Sequence, residues 1–309
     1  MNTQQTSTVR ILVLMLTVLG SIGGLIIPEG WVQDHIIWIA VVLILGGVPH
    51  GASDYLLFNQ LMRDQEGRNQ KSLFALYYLV IVAAYGLLWW FSPMLAFGLF
   101  IAVSFYHFGQ SNWEYAKFSN HYWQKLSFVL WGGFVVGVPV LIYHQEAALI
   151  IQEITGVLLP LEEIRWPLIF LLVASNLMNV IFLFEKELID APEFKREVAS
   201  LFALFALFIS TPLLIGFGIY FVFWHSLGST LDQIAILKSV KRGYSLTQYL
   251  VKMIPLSLLA FAGLILLYWW LGEEMNRGTN IGLLFLFISI ITLPHSILMD
   301  RFYLININK

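Results

Sequence analysis

Long apolar runs, separated by short polar or Pro/Gly interruptions, fill this chain from end to end. A helix needs about 20 apolar residues to cross a bilayer. On that measure the pattern predicts ten spans: residues 10–27, 33–60, 72–91, 93–117, 121–143, 165–185, 194–210, 212–236, 247–271 and 279–302. The breaks fall at Pro28-Glu29-Gly30, Arg63–Lys71, Ser92-Pro93, Ser119-Asn120, Glu185–Arg196, Thr211-Pro212, Lys238–Thr247 and Gly272–Thr279. Spans seven and eight are parted only at Ser210-Thr211-Pro212, and residues 145–163 read as an interfacial amphipathic helix or loop. The expected fold is all-α: a polytopic bundle in which residues 1–309 form a single transmembrane helical domain.

Composition agrees. The chain is 59% hydrophobic and 12% charged, against about 25% charged in a soluble domain. A net charge of −2 gives no footing for a polyanionic partner, so nucleic-acid binding is set aside. The apolar run Ile11–Ile27 is long for a signal-peptide core, and no small-residue cleavage site follows it, so it reads as a retained first span. Orientation follows from the basic residues, which gather on cytoplasmic loops. With both termini cytoplasmic, the inner segments hold 15 of the 17 Lys and Arg residues, leaving only Arg165 and Arg277 outside. The outer segments carry Glu29, Asp34, Glu146, Glu153, Glu162, Glu163, Glu273 and Glu274 instead. The expected location is a cell membrane, crossed many times.

Chemistry enters with the histidines. His35, His121 and His144 fall at span ends, where an interfacial imidazole is ordinary. His50, His107, His225 and His295 lie inside spans two, four, eight and ten, all running from outside to inside. They stand 13 to 17 residues from the outer starts of those spans. At about 1.5 Å of rise per residue this is a spread of roughly 6 Å, one level past the midplane. Ionisable groups at that depth mark function more often than packing. Imidazole suits iron, copper and zinc, and with no cysteine in the chain thiolate ligation is excluded. Four imidazoles would leave an octahedral ion two open positions. The alternative is that each histidine bonds a neighbouring carbonyl and only stabilises helix packing.

Asp54, four residues after His50 in the same span, is placed to orient that imidazole. Asp232 and Asp300 sit nearer the basic inner rim, where pairing with Lys or Arg explains them. Asn176 and Asn179 of span six share the level of the histidines. They either orient a ligand or join helices. Tyr106, Phe108, Trp113, Phe223 and Trp224 adjoin the histidines, where they would wall an apolar tunnel for substrate or simply pack the core.

Four ordered fragments now stand out: Gly46-Gly47-Val48-Pro49-His50-Gly51-Ala52-Ser53-Asp54, Ser104-Phe105-Tyr106-His107-Phe108-Gly109, Phe223-Trp224-His225-Ser226, and Leu293-Pro294-His295 with Asp300. Together they resemble the bacterial Brp/Blh family of membrane β-carotene 15,15′-dioxygenases, over about 250 residues of the chain. The resemblance implies non-haem Fe(II) held by histidines, dioxygen as cosubstrate, and a carotenoid taken from the lipid phase and cleaved to retinal, with a rhodopsin as a possible acceptor. Family motifs carry over to His50, His107 and His225, whereas His295 joins the set by depth alone. The family usually has a second histidine four residues after the Trp-His-Ser histidine, and here that position is Ser229. A second departure is Gln110-Ser111-Asn112 after His107-Phe108-Gly109, where relatives often have acidic residues.

Three functions follow for comparison. The first is an Fe(II)-dependent carotenoid-cleaving oxygenase. The second is a non-catalytic carotenoid- or retinal-binding protein on the same scaffold. The third, a histidine proton relay, would need polar residues reaching both membrane faces, yet outward of His50 and His107 the spans are apolar.

Overall fold

The computed structural model describes residues 3–28, 30–61, 70–240, 245–271 and 280–307; the side chains of some helical residues, His50 among them, lie outside that description. The chain runs through α1 (Thr3–Gly24), α2 (Trp31–Gly51), α3 (Asp54–Leu61), α4 (Gln70–Phe91), α5 (Pro93–Trp113) and α6 (His121–Gly132). A π-helical turn over Gly133–Gly137 leads into α7 (Val138–Ile142), then α8 (His144–Thr155), α9 (Leu161–Glu185), α10 (Ala191–Ser210) and α11 (Leu213–Ile219). A second π-helical turn, Tyr220–Ser226, continues into α12 (Leu227–Val240), followed by α13 (Leu246–Leu271) and α14 (Asn280–Ile307). Among the described residues there is no strand.

Seven stretches among the described residues are long and apolar enough to cross a membrane: Lys71–Phe91, Pro93–Trp113, His121–Ile142, Leu161–Glu185, Leu213–Ala235, Leu246–Gly263 and Phe285–Tyr303. Each coincides with one of the ten expected spans. The apolar stretch of α1, Thr8–Gly24, is shorter, and α10 opens with Glu193, Lys195, Arg196 and Glu197. Trp90, Phe170, Leu266 and Trp269 expose more than two thirds of their surface, as apolar side chains do when they face lipid rather than water. Most of the expected break Arg63–Lys71, the middle of Lys238–Thr247 and all of Gly272–Thr279, with Arg63, Arg68, Lys241, Arg242, Glu273, Glu274 and Arg277, lie outside the described residues, as does Glu29.

Local chemistry accounts for the described breaks. Gly30 takes φ +85 between α1 and α2, a conformation open to glycine at no steric cost. Ser92-Pro93 starts α5 at the position where proline's missing N–H is no loss. Asp190 and Glu193 form a reciprocal capping box at the head of α10. Thr211-Pro212 ends that helix before α11, as the sequence pattern expects. Residues 145–163, expected as an interfacial helix or loop, hold α8, a turn at Gly156 and the start of α9, four residues earlier than the expected 165.

One expectation is corrected. Residues 33–60 are not one helix, because α2 ends at Gly51 and α3 begins at Asp54, with a turn over Ala52-Ser53. The Ser53 carbonyl accepts the N–H groups of both Leu56 and Leu57, and its hydroxyl leaves the helix axis to donate to Gln233 Oε1 at 2.6 Å.

The contacts divide the chain into two units. The first comprises Met1–Ile44, Ser104–Ala148 and Pro160–Ser229. Its core holds Trp113, Trp131, Phe134, Leu204, Leu207, Phe208 and Tyr220, all essentially without exposed surface. Here α5 and α6 cross at closest range. A Cβ on Gly109 would overlap the Phe128 backbone, and one on Gly132 would overlap the Phe105 backbone. The second unit comprises Leu45–Val103, Leu149–Leu159 and Thr230–Lys309. In it α14 packs on α3, α4 and α13, around Leu57, Phe74, Leu298, Met299 and Phe302.

A buried polar knot ties the second unit together. Gln233 Oε1 accepts from Ser53 and, at 2.5 Å, from the Tyr249 hydroxyl, while Gln233 Nε2 points at Met299 Sδ 3.5 Å away. Gln233→Leu removes the shared acceptor of two buried hydroxyls and is expected to cost about 2–3 kcal/mol. Thermal unfolding in detergent should show a lowered midpoint, and an unchanged midpoint would mean that the knot contributes nothing to stability.

Candidate functional site

In the first unit, α5 and the second π-helical turn bring His107 and His225 together. Both are buried, with ring centroids 4.8 Å apart and planes at 77°. The short reach of α5 toward α6 at Gly109, two residues after His107, fixes the helix that presents this imidazole. His225 sits in a turn whose hydrogen bonds span five residues, with Leu227 N–H donating to the Val222 carbonyl. Such π-turns recur at functional positions because they re-aim side chains. Phe108 presents its edge to His225 at 4.5 Å, and Phe221 lies parallel to it at 5.8 Å.

The tautomer of His225 can be read from its neighbour. Ser111 Oγ donates to the Phe108 carbonyl at 2.9 Å and lies 3.1 Å from His225 Nδ1. A serine hydroxyl has one proton; with that proton on the Phe108 carbonyl, Ser111 accepts from His225 Nδ1–H. The lone pair then belongs to Nε2, the atom of this ring that would meet an ion. Ser111 was missed by sequence reasoning, although it lies four residues after His107 and so on the same helical face.

In the second unit Asp54 has a partner that sequence reasoning did not name. Asp54, buried at the start of α3, accepts from His295 Nδ1 at 2.7 Å. Its other carboxylate oxygen accepts from the Tyr78 hydroxyl of α4. The helix break at Ala52-Ser53 puts Asp54 on a different helix from His50, and the long-range partner of this carboxylate among the described side chains is His295 on α14. His50 is the last residue but one of α2, and its side chain lies outside the described ones; a Cβ on its neighbour Gly51 would sit 3.9 Å from His295 Nδ1. With Nδ1 committed to Asp54, His295 would also meet an ion through Nε2.

The other expected site residues have defined surroundings. Asn176 donates from Nδ2 to the Leu130 carbonyl of α6 and to the Leu172 carbonyl, both at 2.8 Å. Asn179 Oδ1 accepts from Ser127, also on α6, at 2.9 Å. These bonds join α9 to α6, the packing alternative of the two readings. Ser229 is buried at the first turn of α12. Trp113 packs on Trp131 in the core, and Tyr106 stands edge-on to Phe128. Trp224 donates to Thr17 of α1 at 2.8 Å, and Phe223 is half-buried. Asn112, in the segment that departs from relatives, donates to the buried carboxylate of Glu197, which also accepts from Tyr115 and pairs with Arg196 at 3.1 Å. His144, expected at a wetted interface, is instead buried against Arg165, whose guanidinium donates to Nδ1 at 3.0 Å.

Among the described residues no group of three or more His, Asp or Glu side chains stands close enough to hold a metal ion. What the structure holds is two supported donors, one pair in each unit. Imidazoles whose Nδ1–H is fixed by a hydroxyl or carboxylate are the ordinary form of a metal-binding histidine. His107 and His225, buried and in edge-to-face contact, fit an iron ion as part of its ligand set.

A family model described as "Beta-carotene 15,15'-dioxygenase" matches residues 40–303, well over half of the chain. A curated relative, "Probable beta-carotene 15,15'-dioxygenase Blh" of Halobacterium salinarum, is 22% identical over 279 residues, covering 82% of this chain and 79% of its own. No solved structure gives a significant match.

Proposed function

Because the chain belongs to the β-carotene 15,15′-dioxygenase family, we propose that it cleaves a carotenoid, β-carotene, at its central double bond with dioxygen. The balance is one C=C bond broken and one oxygen atom delivered to each new aldehyde, giving two retinals. We place this reaction in a bacterial inner membrane, in a chain of ten spans with both termini cytoplasmic. The carotenoid enters from the surrounding lipid, and a rhodopsin is a fitting acceptor of the product. The proposed cofactor is Fe(II), and its proposed imidazole ligands are His50, His107, His225 and His295.

When bound, the iron supplies dioxygen activation, the chemistry that no side chain of this chain can provide. The protein's own work is orientation and exclusion of water. Ser111 holds His225 in the tautomer that presents Nε2, and Asp54 does the same for His295. Phe108 and Phe221 flank His225 with apolar surface, so water is kept from the imidazole. No acid–base side chain is needed for the bond cleavage, which suits a candidate site poor in carboxylates. The observation that carries the reading is the buried, edge-to-face pairing of His107 with His225 in a chain matched to this family.

Expression in bacterial cells that accumulate β-carotene tests it: the cells should lose their colour and yield retinal. Unchanged carotenoid, with the protein present in the membrane, would contradict it. Ser229, standing where the family usually has a histidine, favours a second reading, a carotenoid- or retinal-binding protein without activity. Copurified pigment without turnover would select that reading.

A further inference from the structure

We infer that Tyr78 is a positioning residue for His295, acting through Asp54. The inference rests on the ligand assignment proposed above for His295. The three side chains come from three helices that pack together in the second unit: Tyr78 from α4, Asp54 from the head of α3 and His295 from α14. Asp54 is 1% exposed and His295 5% exposed. The Tyr78 hydroxyl donates to Asp54 Oδ2, and His295 Nδ1–H donates to Oδ1. An ionised carboxylate accepts only, so in that form of Asp54 both neighbours donate to it.

Two features make positioning the fitting role. Asp54 directly follows the turn at Ala52-Ser53 as the first residue of α3, so no preceding helical turn packs against its carboxylate. A single bond to His295 would let the carboxylate rotate about its terminal torsion, which is broad. Tyr78 closes the second oxygen and locks that plane, and the imidazole ring is locked with it. Pro294, one residue before His295, loosens α14 at the same level by removing a backbone donor. Tyr77, beside Tyr78, lies 3.5 Å from the Pro294 carbonyl, so α4 also meets this loosened turn directly. The aromatic surroundings of Phe74 and Phe58 hold the two tyrosines in turn.

The test uses full-length protein in detergent and Co(II), read by its visible absorption, as the probe. Loss of a supporting residue typically weakens metal binding by roughly 10–100-fold, and Tyr78→Phe, one bond further out, is expected at about the lower end of that range. In a His295→Ala background the same substitution should change the affinity by less than about twofold, because coupled effects vanish when the shared partner is gone. An unchanged affinity in Tyr78→Phe, or an equal loss in both backgrounds, would overturn the inference. Nitrogen-15 NMR of labelled histidine in the metal-free protein gives a second readout. Wild type should show His295 protonated at Nδ1, and Tyr78→Phe should shift or broaden that signal. If wild type takes up no Co(II), the ligand assignment fails on its own, and the NMR comparison decides the positioning role: an unchanged His295 signal would sink it.

Discussion

Replacing His225 by Gln is expected to abolish retinal formation and lower iron content while leaving a folded, membrane-inserted protein. His225 lies in a turn whose backbone is already committed to five-residue hydrogen bonds, so a polar side chain of similar reach does not disturb it. The lost feature is specific: Nε2 of an imidazole whose Nδ1 is held by Ser111. Supporting residues alone are typically worth roughly 10–100-fold, so removing the ligand should exceed that in activity. His107→Gln should match it, since the two rings pack edge to face at 4.8 Å and serve one ion in this account. Asn179→Ala is the contrast. It breaks the bond to Ser127 between α9 and α6, so it should lower thermal stability and leave iron content unchanged. Retinal yield and bound iron, measured on the same preparations, separate the outcomes; normal iron in His225→Gln would remove that residue from the site.

The second large effect concerns folding. Gly109→Val and Gly132→Val are expected to yield little or no folded protein. At both positions the facing element is backbone, Phe128 for Gly109 and Phe105 for Gly132, so no side chain can swing away and α5 and α6 must separate. Overpacking that flexible side chains absorb costs about 1–3 kcal/mol; moving two helices apart should exceed that and approach the whole stability of an ordinary domain, about 5–15 kcal/mol. Gly86→Ala in α4, where a Cβ meets nothing within 4 Å, should be tolerated. Size-exclusion profiles of the three variants in detergent check this directly. A monodisperse Gly109→Val protein with wild-type yield would show that the crossing is looser than described.

Much of the helical layout could be read from apolar run length. The seven described stretches able to cross a membrane coincide with expected spans, and the Thr211-Pro212 stop is a covalent property of proline, visible without a structure. The pairing of His107 with His225 was anticipated by their common depth, a quantity that survives errors of a few residues in span boundaries. Partners across helices were harder. Asp54 was assigned to His50 by helical spacing, which holds only while the helix continues, and the Ser53–Gln233 bond that accompanies the break joins residues 180 apart in sequence. Tyr78 carried no signal among so many aromatics, because its role comes from where α4 packs. The π-turn under His225 likewise has no pattern in apolar periodicity. Asn176 and Asn179 stood at the right level, but depth says nothing about which way a helix face turns, and their bonds run to α6.

The account rests on bound iron turning over a carotenoid, and one preparation can test both parts. Protein purified in detergent, reconstituted with Fe(II) without oxygen and then given β-carotene and air, should hold about one iron per chain and release two retinals for each β-carotene consumed. Protein that keeps bound pigment, retains no iron and forms no retinal would contradict it.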